Sequence, residues 1–257
     1  MKSILKSIAV AFSLYSTVPM PIFEWEEKNM KYSIALFHLV GIVQGFLLLF
    51  VYGFASHFYL SPAIFSAVSI AVCFFLTGGI HLDGFCDTCD GVFSHAEKQT
   101  RLEILKDTHV GAFAIIGLGV LFVLRFGAYS QAYENKKYMQ IIAISFIVSR
   151  LYSALSVLAF KKAKKDGIVA VMAEKSYKKP SIILVLMLIF FWSIVSLAVD
   201  FSGGIALIIV MNLYFILYKR KSYKLFGGVT GDLAGFFVET SETLCLFVLA
   251  VLGAIVR

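Results

Sequence analysis

The sequence predicts an all-α fold, a polytopic integral membrane helical bundle of about six to seven transmembrane helices, and three observations carry that reading. Sixty per cent of the 257 residues are hydrophobic and only 15% are charged, with a mean hydropathy of +0.86. The apolar residues fall in continuous runs of about 20, the length of a bilayer-spanning helix, and lack the one-sided period of a surface helix. Spans of that length joined by short loops use up the chain, so residues 1–257 read as one membrane-embedded unit.

Taken in order, Lys2, Lys6 and the apolar stretch Ile8 to Leu14 imitate the first two regions of a signal peptide. Ser16 to Pro21 supplies no small-x-small cleavage site, and Pro19 and Pro21 turn the chain, so 4–18 is expected to stay as an interfacial or re-entrant segment. Spans are predicted at 33–56, 61–79, 110–132, 138–160, 182–199, 203–218 and 236–256. The lysines orient them. Loop 161–179 carries Lys161, Lys162, Lys164, Lys165, Lys175, Lys178 and Lys179, and 219–224 adds Lys219, Arg220, Lys221 and Lys224, which places both loops in the cytoplasm. By parity residues 1–32 and the segment 79–111 share that face, and 18 of the 23 Lys and Arg then lie inside. The net charge of +7 fits basic loops beside anionic lipid; no nucleic-acid motif accompanies it. Cys73, Cys86, Cys89 and Cys245 form no secreted disulfide framework.

Chemistry is expected where charge interrupts this apolar chain. Asp83, Asp87 and Asp90 are spaced i, i+4, i+7 and fall on one helical face, with Ser94, Glu97 and Arg101 continuing the stripe. Three adjacent carboxylates repel one another unless a cation sits among them, and hard oxygen ligands suit Mg²⁺ together with substrate phosphate. The bland alternative is a solvated helix whose acids pair with Lys98, Arg101 and Lys106. Gly84 and Gly91 weaken it, each costing about 1 kcal/mol of helix propensity against alanine. Cys86-x-x-Cys89 between His81 and His95 raises a zinc site, against which stands the lack of a second ligand pair, so the cysteines read as packing residues. Asp107 supplies either a further ligand or a helix cap, and His109 either a phosphate contact or an interface residue. Gly227, Gly228 and Gly231 free the backbone of the second polar loop, 227–242, to offer N–H groups to an anion, while Thr230 and Asp232 add oxygen ligands. Glu239, Glu242 and the mid-span Arg150 either pair structurally or bind a polar substrate group. Arg125, read as near an outer end, is expected to snorkel.

The run Gly78-Gly79-Ile80-His81-Leu82-Asp83-Gly84-x-x-Asp87-Thr88-x-Asp90-Gly91, then Arg101-x-Glu103-Ile104-x-Lys106-Asp107-x-x-x-Gly111, and Gly227-Gly228-Val229-Thr230-Gly231-Asp232 with Glu239 and Glu242, resembles the cobalamin synthase family, in order and along essentially the whole chain. It departs from that family at Cys86 and Cys89, commonly small residues there, and at Thr17, often an arginine. The resemblance implies an adenosylcobinamide-GDP ribazoletransferase of the cytoplasmic (inner) membrane, its site facing the cytoplasm. In it α-ribazole or its 5′-phosphate attacks the pyrophosphate of adenosylcobinamide-GDP in a Mg²⁺-dependent transfer that gives adenosylcobalamin, or its phosphate, and GMP. On that reading Asp83, Asp87, Asp90 and Asp107 are metal ligands, one of the first three a base; Lys106 and Arg101 stabilise departing GMP; His81 orients an aspartate or phosphate; and Gly228, Thr230, Asp232, Glu239 and Glu242 complete the substrate site. The oligomeric state has no signature in the sequence. Two other classes share features with it. Asp87-x-x-Asp90-Gly91 followed by Asp107 is similar to the motif of CDP-alcohol phosphotransferases, although Ser94-His95 and a longer gap break that signature. A transporter would use Arg150, Glu239 and Glu242 as a relay, but paired interrupted spans in two halves are not evident.

Overall fold

The computed structural model describes residues 2–21, 23, 30–164 and 168–255. These form helices α1 (Lys2–Tyr15), α2 (His38–His57), α3 (Pro62–Thr77), α4 (Ile80–Phe93), α5 (Lys98–Ile104) and α6 (Ala112–Ala132). They continue with α7 (Lys136–Ala159), α8 (Ile168–Lys175), α9 (Lys178–Val199), α10 (Phe201–Phe226) and α11 (Gly231–Ile255), and a 3₁₀ turn, Ala35–Phe37, precedes α2. Extended pairing among the described residues is limited to an isolated bridge between Lys162 and Val229. Six segments among the described residues are long and apolar enough to cross a membrane; the span expected at 61–79 is too short by itself and passes only together with α4, as a pair bent by 95° that is a broken span or a re-entrant loop. The protein is therefore an all-α, multi-pass membrane protein.

The helix ends are written locally. Ser61 caps α3, its Oγ accepting from the Ile64 N–H at 3.3 Å, and Pro62 occupies the first turn, where a missing N–H costs nothing. Asn135 caps α7 (Oδ1 to the Tyr138 N–H, 3.1 Å) and Asp200 caps α10 (Oδ1 to the Gly203 N–H, 2.9 Å). The basic run 219–224, expected as a loop, is instead the last two turns of α10, which ends only at Gly227, where φ is +80°. The acidic stripe likewise stops at Phe93, and Ser94, Glu97 and Arg101 leave it because α5 is a separate short helix. Helix α1 has 14 residues, about 21 Å at 1.5 Å per residue, too short to span a hydrocarbon core of about 30 Å.

Helix α7 is the centre of the bundle: 94% of its apolar window is buried, against 11% for α9. It packs against α2, α9 and α11. Phe46, Phe50 and Phe54 on α2 and Phe190 and Phe191 on α9 remain exposed, a lipid-facing surface.

A polar network occupies the middle of this apolar core. Arg150 of α7 lies 2.6 Å from Glu242 of α11 and donates to Gln44 of α2 at 2.5 Å and to the Phe146 carbonyl at 2.8 Å. Ser149 donates to the same Glu242 oxygen at 2.9 Å. Arg125 of α6 pairs with Glu239 at 2.8 Å and donates from Nε to Thr243 at 2.8 Å. Arg125 thus does not snorkel: it is 9% exposed and held inward by two carboxylates one helical turn apart. Of the two readings of Glu239 and Glu242, the structure realises the structural pairs, now doubled to two arginines and tying together four helices.

Breaking one pair strands its partner's charge in a dry interior, which costs about 3–5 kcal/mol. Arg150→Met should accordingly lower the unfolding free energy of detergent-solubilised protein by about that amount, and Glu242→Gln added to it should recover part of the loss, read by thermal or denaturant unfolding.

Candidate functional site

The site begins at the break between α3 and α4. Gly78 and Gly79 adopt φ of +62° and +77°, a region open to glycine at little cost, and two such residues in succession turn the chain out of α3. The carbonyls freed there are satisfied from the N-terminal segment: Thr17 donates its N–H to Leu76 O and its hydroxyl to Phe75 O, both at 2.8 Å. Helix α4 is then folded into the bundle against α6 and α11. Contact with α11 is close because Gly84 has no side chain; a Cβ there would meet the Asp232 Cα and carbonyl oxygen at 2.8 Å. Phe85 stacks on Phe236 at 5.4 Å, and Cys89 packs against Gly117 of α6.

This crossing brings the two acidic motifs together. Asp83 and Asp232 line a cleft of about 560 Å³ together with Lys106, Lys162 and Lys164. Asp87, one turn on from Asp83, feels the charges of Asp83, Asp232 and Asp90 and the opposite charge of Lys164. Thr230 caps α11, accepting from the Leu233 N–H at 3.2 Å, and donates to Asp232 at 3.3 Å.

The remaining expected residues are engaged differently. Asp90 caps α6: its two oxygens accept from the N–H groups of Gly111 and Ala114 at 2.8 and 3.0 Å. Arg101, expected to meet GMP, is buried and donates to the carbonyls of Ala96, Gly91 and Val92 at 2.6, 2.7 and 2.7 Å, closing the C-terminal end of α4. Asp107 is exposed, accepts from the His109 N–H at 3.0 Å and lies 2.7 Å from its ring; those bonds hold its carboxyl below its usual range. Gly228 is needed for chain packing, since a Cβ there would run into the backbone of 161–163. His81 lines the cleft, 5% exposed, with Nε2 buried and unpartnered. Glu239 and Glu242 belong to the network in the core.

In the sequence the lysines of 161–179 stand out only as topological markers. Val229 accepts from the Ala163 N–H at 3.1 Å and donates to Lys161 O at 2.9 Å, and this pairing sets Lys162 and Lys164 beside the cleft. Lys162 donates to the Val157 carbonyl at the end of α7, and burial, with Lys178 nearby, pulls its pKa down to about 8. Tyr15 of α1 and Ser153 of α7 also face the cleft, Ser153 donating to the Ala234 carbonyl at 3.2 Å. A signal for Tyr15 existed: the N-terminal helix was too short to span, and such a segment has to pack against the bundle.

Among the described residues, no group of three or more His, Cys, Asp or Glu side chains is arranged to hold a metal ion. The cleft lining instead combines carboxylates with lysine ammonium groups, a set suited to a phosphorylated ligand.

The sequence matches the cobalamin-5-phosphate synthase family over residues 7–250. It is 40% identical to a protein of Lachnoclostridium phytofermentans over 240 residues, 93% of this chain and 91% of the relative. It is 33% identical to one of Treponema denticola (94% and 96%) and 31% identical to one of Clostridium botulinum strain Alaska E43 (96% and 98%). All three are described as adenosylcobinamide-GDP ribazoletransferases. No solved structure matches the chain.

Asp90→Leu removes both acceptors from the start of α6 and leaves two N–H groups without partners. It should cost about 1–3 kcal/mol of stability, read as a lowered midpoint in detergent unfolding.

Proposed function

The chain belongs to the cobalamin-5-phosphate synthase family, and from that premise we propose that it is an adenosylcobinamide-GDP ribazoletransferase. It transfers the cobinamide phosphate moiety of adenosylcobinamide-GDP to α-ribazole, or to its 5′-phosphate, and releases GMP. The observation that carries this reading is the convergence of Asp83 and Asp232 with Lys106, Lys162 and Lys164 on one cleft. The family match, with relatives described as this enzyme, favours it over a phospholipid-forming phosphotransferase or a transporter.

In the transfer a ribose hydroxyl oxygen bonds to the phosphorus of the cobinamide phosphate, the bond from that phosphorus to the oxygen of GMP breaks, and the hydroxyl proton goes to a cleft carboxylate. Asp83 and Asp232 stand where they can take that proton. The three lysines lower the cost of charge on the pyrophosphate and on departing GMP, an effect that grows in a partly desolvated cleft. His81 stands beside the acids and is free to act on the acceptor.

A Mg²⁺ ion fits the donors. It takes few protein carboxylates and keeps waters and phosphate oxygens, so it needs no preformed cluster of three. Asp83 and Asp87 would hold it, one helical turn apart and crowded by Asp232, a concentration of negative charge that a dication relieves. Asp90 and Asp107 already accept hydrogen bonds and would enter only through remaining lone pairs. Bound there, the ion would neutralise charge on the pyrophosphate. The lysine-rich stretches flanking the cleft support a site that faces the cytoplasm at the cell membrane.

Membranes or purified protein incubated with adenosylcobinamide-GDP, α-ribazole and Mg²⁺ should release GMP and a corrinoid product, and omission of the metal with added chelator should stop turnover. Absence of GMP release by well-folded protein would refute the assignment. Asp87→Asn should insert normally yet lose at least about 10²-fold in kcat, the scale of a lost electrostatic group; full activity would remove Asp87 from the site. Because Lys162 is a cation only below about pH 8, kcat/KM should fall as pH rises through that value, and Lys162→Met should lower the plateau and flatten that limb.

A further inference from the structure

One wall of the cleft is aromatic, and of its three rings only His81 enters the chemistry described above. Tyr15 from α1, Phe37 from the 3₁₀ turn and His81 from the first turn of α4 come from three separate elements. Their rings meet at 4.2 Å (Tyr15–Phe37), 5.3 Å (Phe37–His81) and 6.1 Å (Tyr15–His81, nearly parallel at 27°). Leu14, Ile34 and Met172 extend that wall, and the Tyr15 hydroxyl reaches the Met172 sulfur at 3.7 Å. The rings are fixed from behind: the Arg150 guanidinium lies 5.5 Å from the centre of Phe37, and Gly235 lets α11 approach the backbone of His81, where a Cβ would come within 3.2 Å. Phe37 and the backbone that carries His81 are therefore held in place before any ligand arrives, while the imidazole keeps its own terminal torsion.

His81 supplies the second, independent observation. It is 5% exposed, and its Nε2 is buried with no hydrogen-bond partner. Buried polar atoms are rarely left unsatisfied. A ligand bringing a hydrogen-bonding ring atom would relieve that cost, since the imidazole turns readily about its terminal torsion.

We propose that Tyr15, Phe37 and His81 form the seat for the aromatic base of the riboside acceptor. The proposal rests on the reading of the chain as a ribazoletransferase and names the subsite that would make it selective. The cleft, about 560 Å³, is the size that encloses a small drug-like ligand (about 300–1,000 Å³), so the riboside enters it and the far larger corrinoid stays at the mouth. Guanine suits the wall poorly: its several donors and acceptors would face Leu14, Ile34, Phe37 and Met172 and lose their hydrogen bonds to water without replacement. A benzimidazole, apolar apart from one free ring nitrogen, gives stacking to the rings and its nitrogen to His81. With the base seated there, the ribose reaches toward Asp83, two residues along α4 from His81 and on the same cleft.

The test is steady-state kinetics of Tyr15→Leu and Tyr15→Phe beside the unaltered protein, each substrate varied in turn. Tyr15→Leu keeps apolar bulk and removes the ring; the KM for α-ribazole should rise at least about fivefold, the lower end for loss of one stacked ring, with the KM for adenosylcobinamide-GDP within about twofold. Tyr15→Phe should restore the α-ribazole KM. A rise confined to adenosylcobinamide-GDP would put guanine in the slot and overturn the proposal, as would no change in either. Should the variants fail to fold, the unaltered protein decides: kcat/KM for a benzimidazole riboside should exceed that for the matching adenine riboside by at least about tenfold, and equal values refute the seat. Failure of the unaltered protein to turn over any riboside would instead refute the assigned reaction.

Discussion

Four charges and an amide placed in the middle of an apolar bundle constrain everything built around them. Arg150 and Arg125 face Glu242 and Glu239, with Gln44 closing the chain, and none of these groups can be left alone in that interior without a cost of several kcal/mol. The requirement fixes the depth and rotation of α2, α6, α7 and α11 relative to one another, because a sliding or turning helix would separate a pair. Hydrophobic packing alone does not do this in lipid, where tails are as apolar as leucine. The same Arg150 also backs Phe37, so the interaction that sets the bundle's register reaches the wall of the cleft. Carboxylates at 239 and 242 hold α11 from within while its first turn carries Thr230 and Asp232 to the reactive end. They are not among the residues that line the cleft, and they hold the helix whose start carries Asp232 to it.

The second constraint is the interrupted span. A continuous helix from 62 to 93 would carry Asp83, Asp87 and Asp90 straight away from α11. Two glycines with positive φ redirect it, and Thr17 satisfies the carbonyls exposed by the interruption. Backbone that leaves helical form at membrane depth is tolerated only where protein covers it, which gives α1 and the segment after it a task. Once α4 lies in the bundle, its ends need closing: Arg101 takes the carbonyls at its C-terminus, and Asp90 caps α6 alongside. Of the charged residues in 79–111, then, one part is spent on building the corner and another faces the cleft.

That division explains what was legible in the sequence. Six of the spans follow from the length of apolar runs, and the family follows from motif order; the expected span at 61–79 does not, because the chain bends at Gly78 and Gly79 and only the pair α3 with α4 is long enough. Asp83 and Asp232 could be picked out because carboxylates in such a chain are rare and because topology put both on one face. Spacing could not tell that Asp90 points back into the fold, since i+7 on one face says nothing about a neighbouring helix start. Arg125 was misread because depth was judged from its place along a span, whereas the two glutamates one turn apart on α11 decide where it sits. Arg101 shows a second thing spacing does not carry: an arginine in a basic, polar segment resembles an anion ligand, and only the fold shows the carbonyls it closes. Lys162 and Lys164 looked interchangeable with the other lysines of 161–179; only pairing of 161–163 with Val229 distinguishes them.

The cleft is assembled from both ends of the chain, and this has a physical rationale. A transfer between a small riboside and a large, chemically unlike corrinoid nucleotide needs acidic groups, cationic groups and an apolar wall within one small volume. A single helix cannot present all three: lysines beside the aspartates on one face would neutralise them, and aromatic rings among either would lose their apolar surroundings. Separate elements solve the problem. Helix α4 contributes Asp83 and His81, the first turn of α11 Asp232, the loop after α7 Lys162 and Lys164, the segment after α5 Lys106, and α1 with the 3₁₀ turn the rings Tyr15 and Phe37. Distant segments cost loop-closure entropy to bring together, and that cost is met largely in the bundle itself, since the paired charges of the core have already fixed α7 and α11. The reactive groups are thereby held by a scaffold whose rigidity comes from interactions outside the cleft, the condition under which electrostatic groups can be preorganised for a transition state without rearranging when it forms.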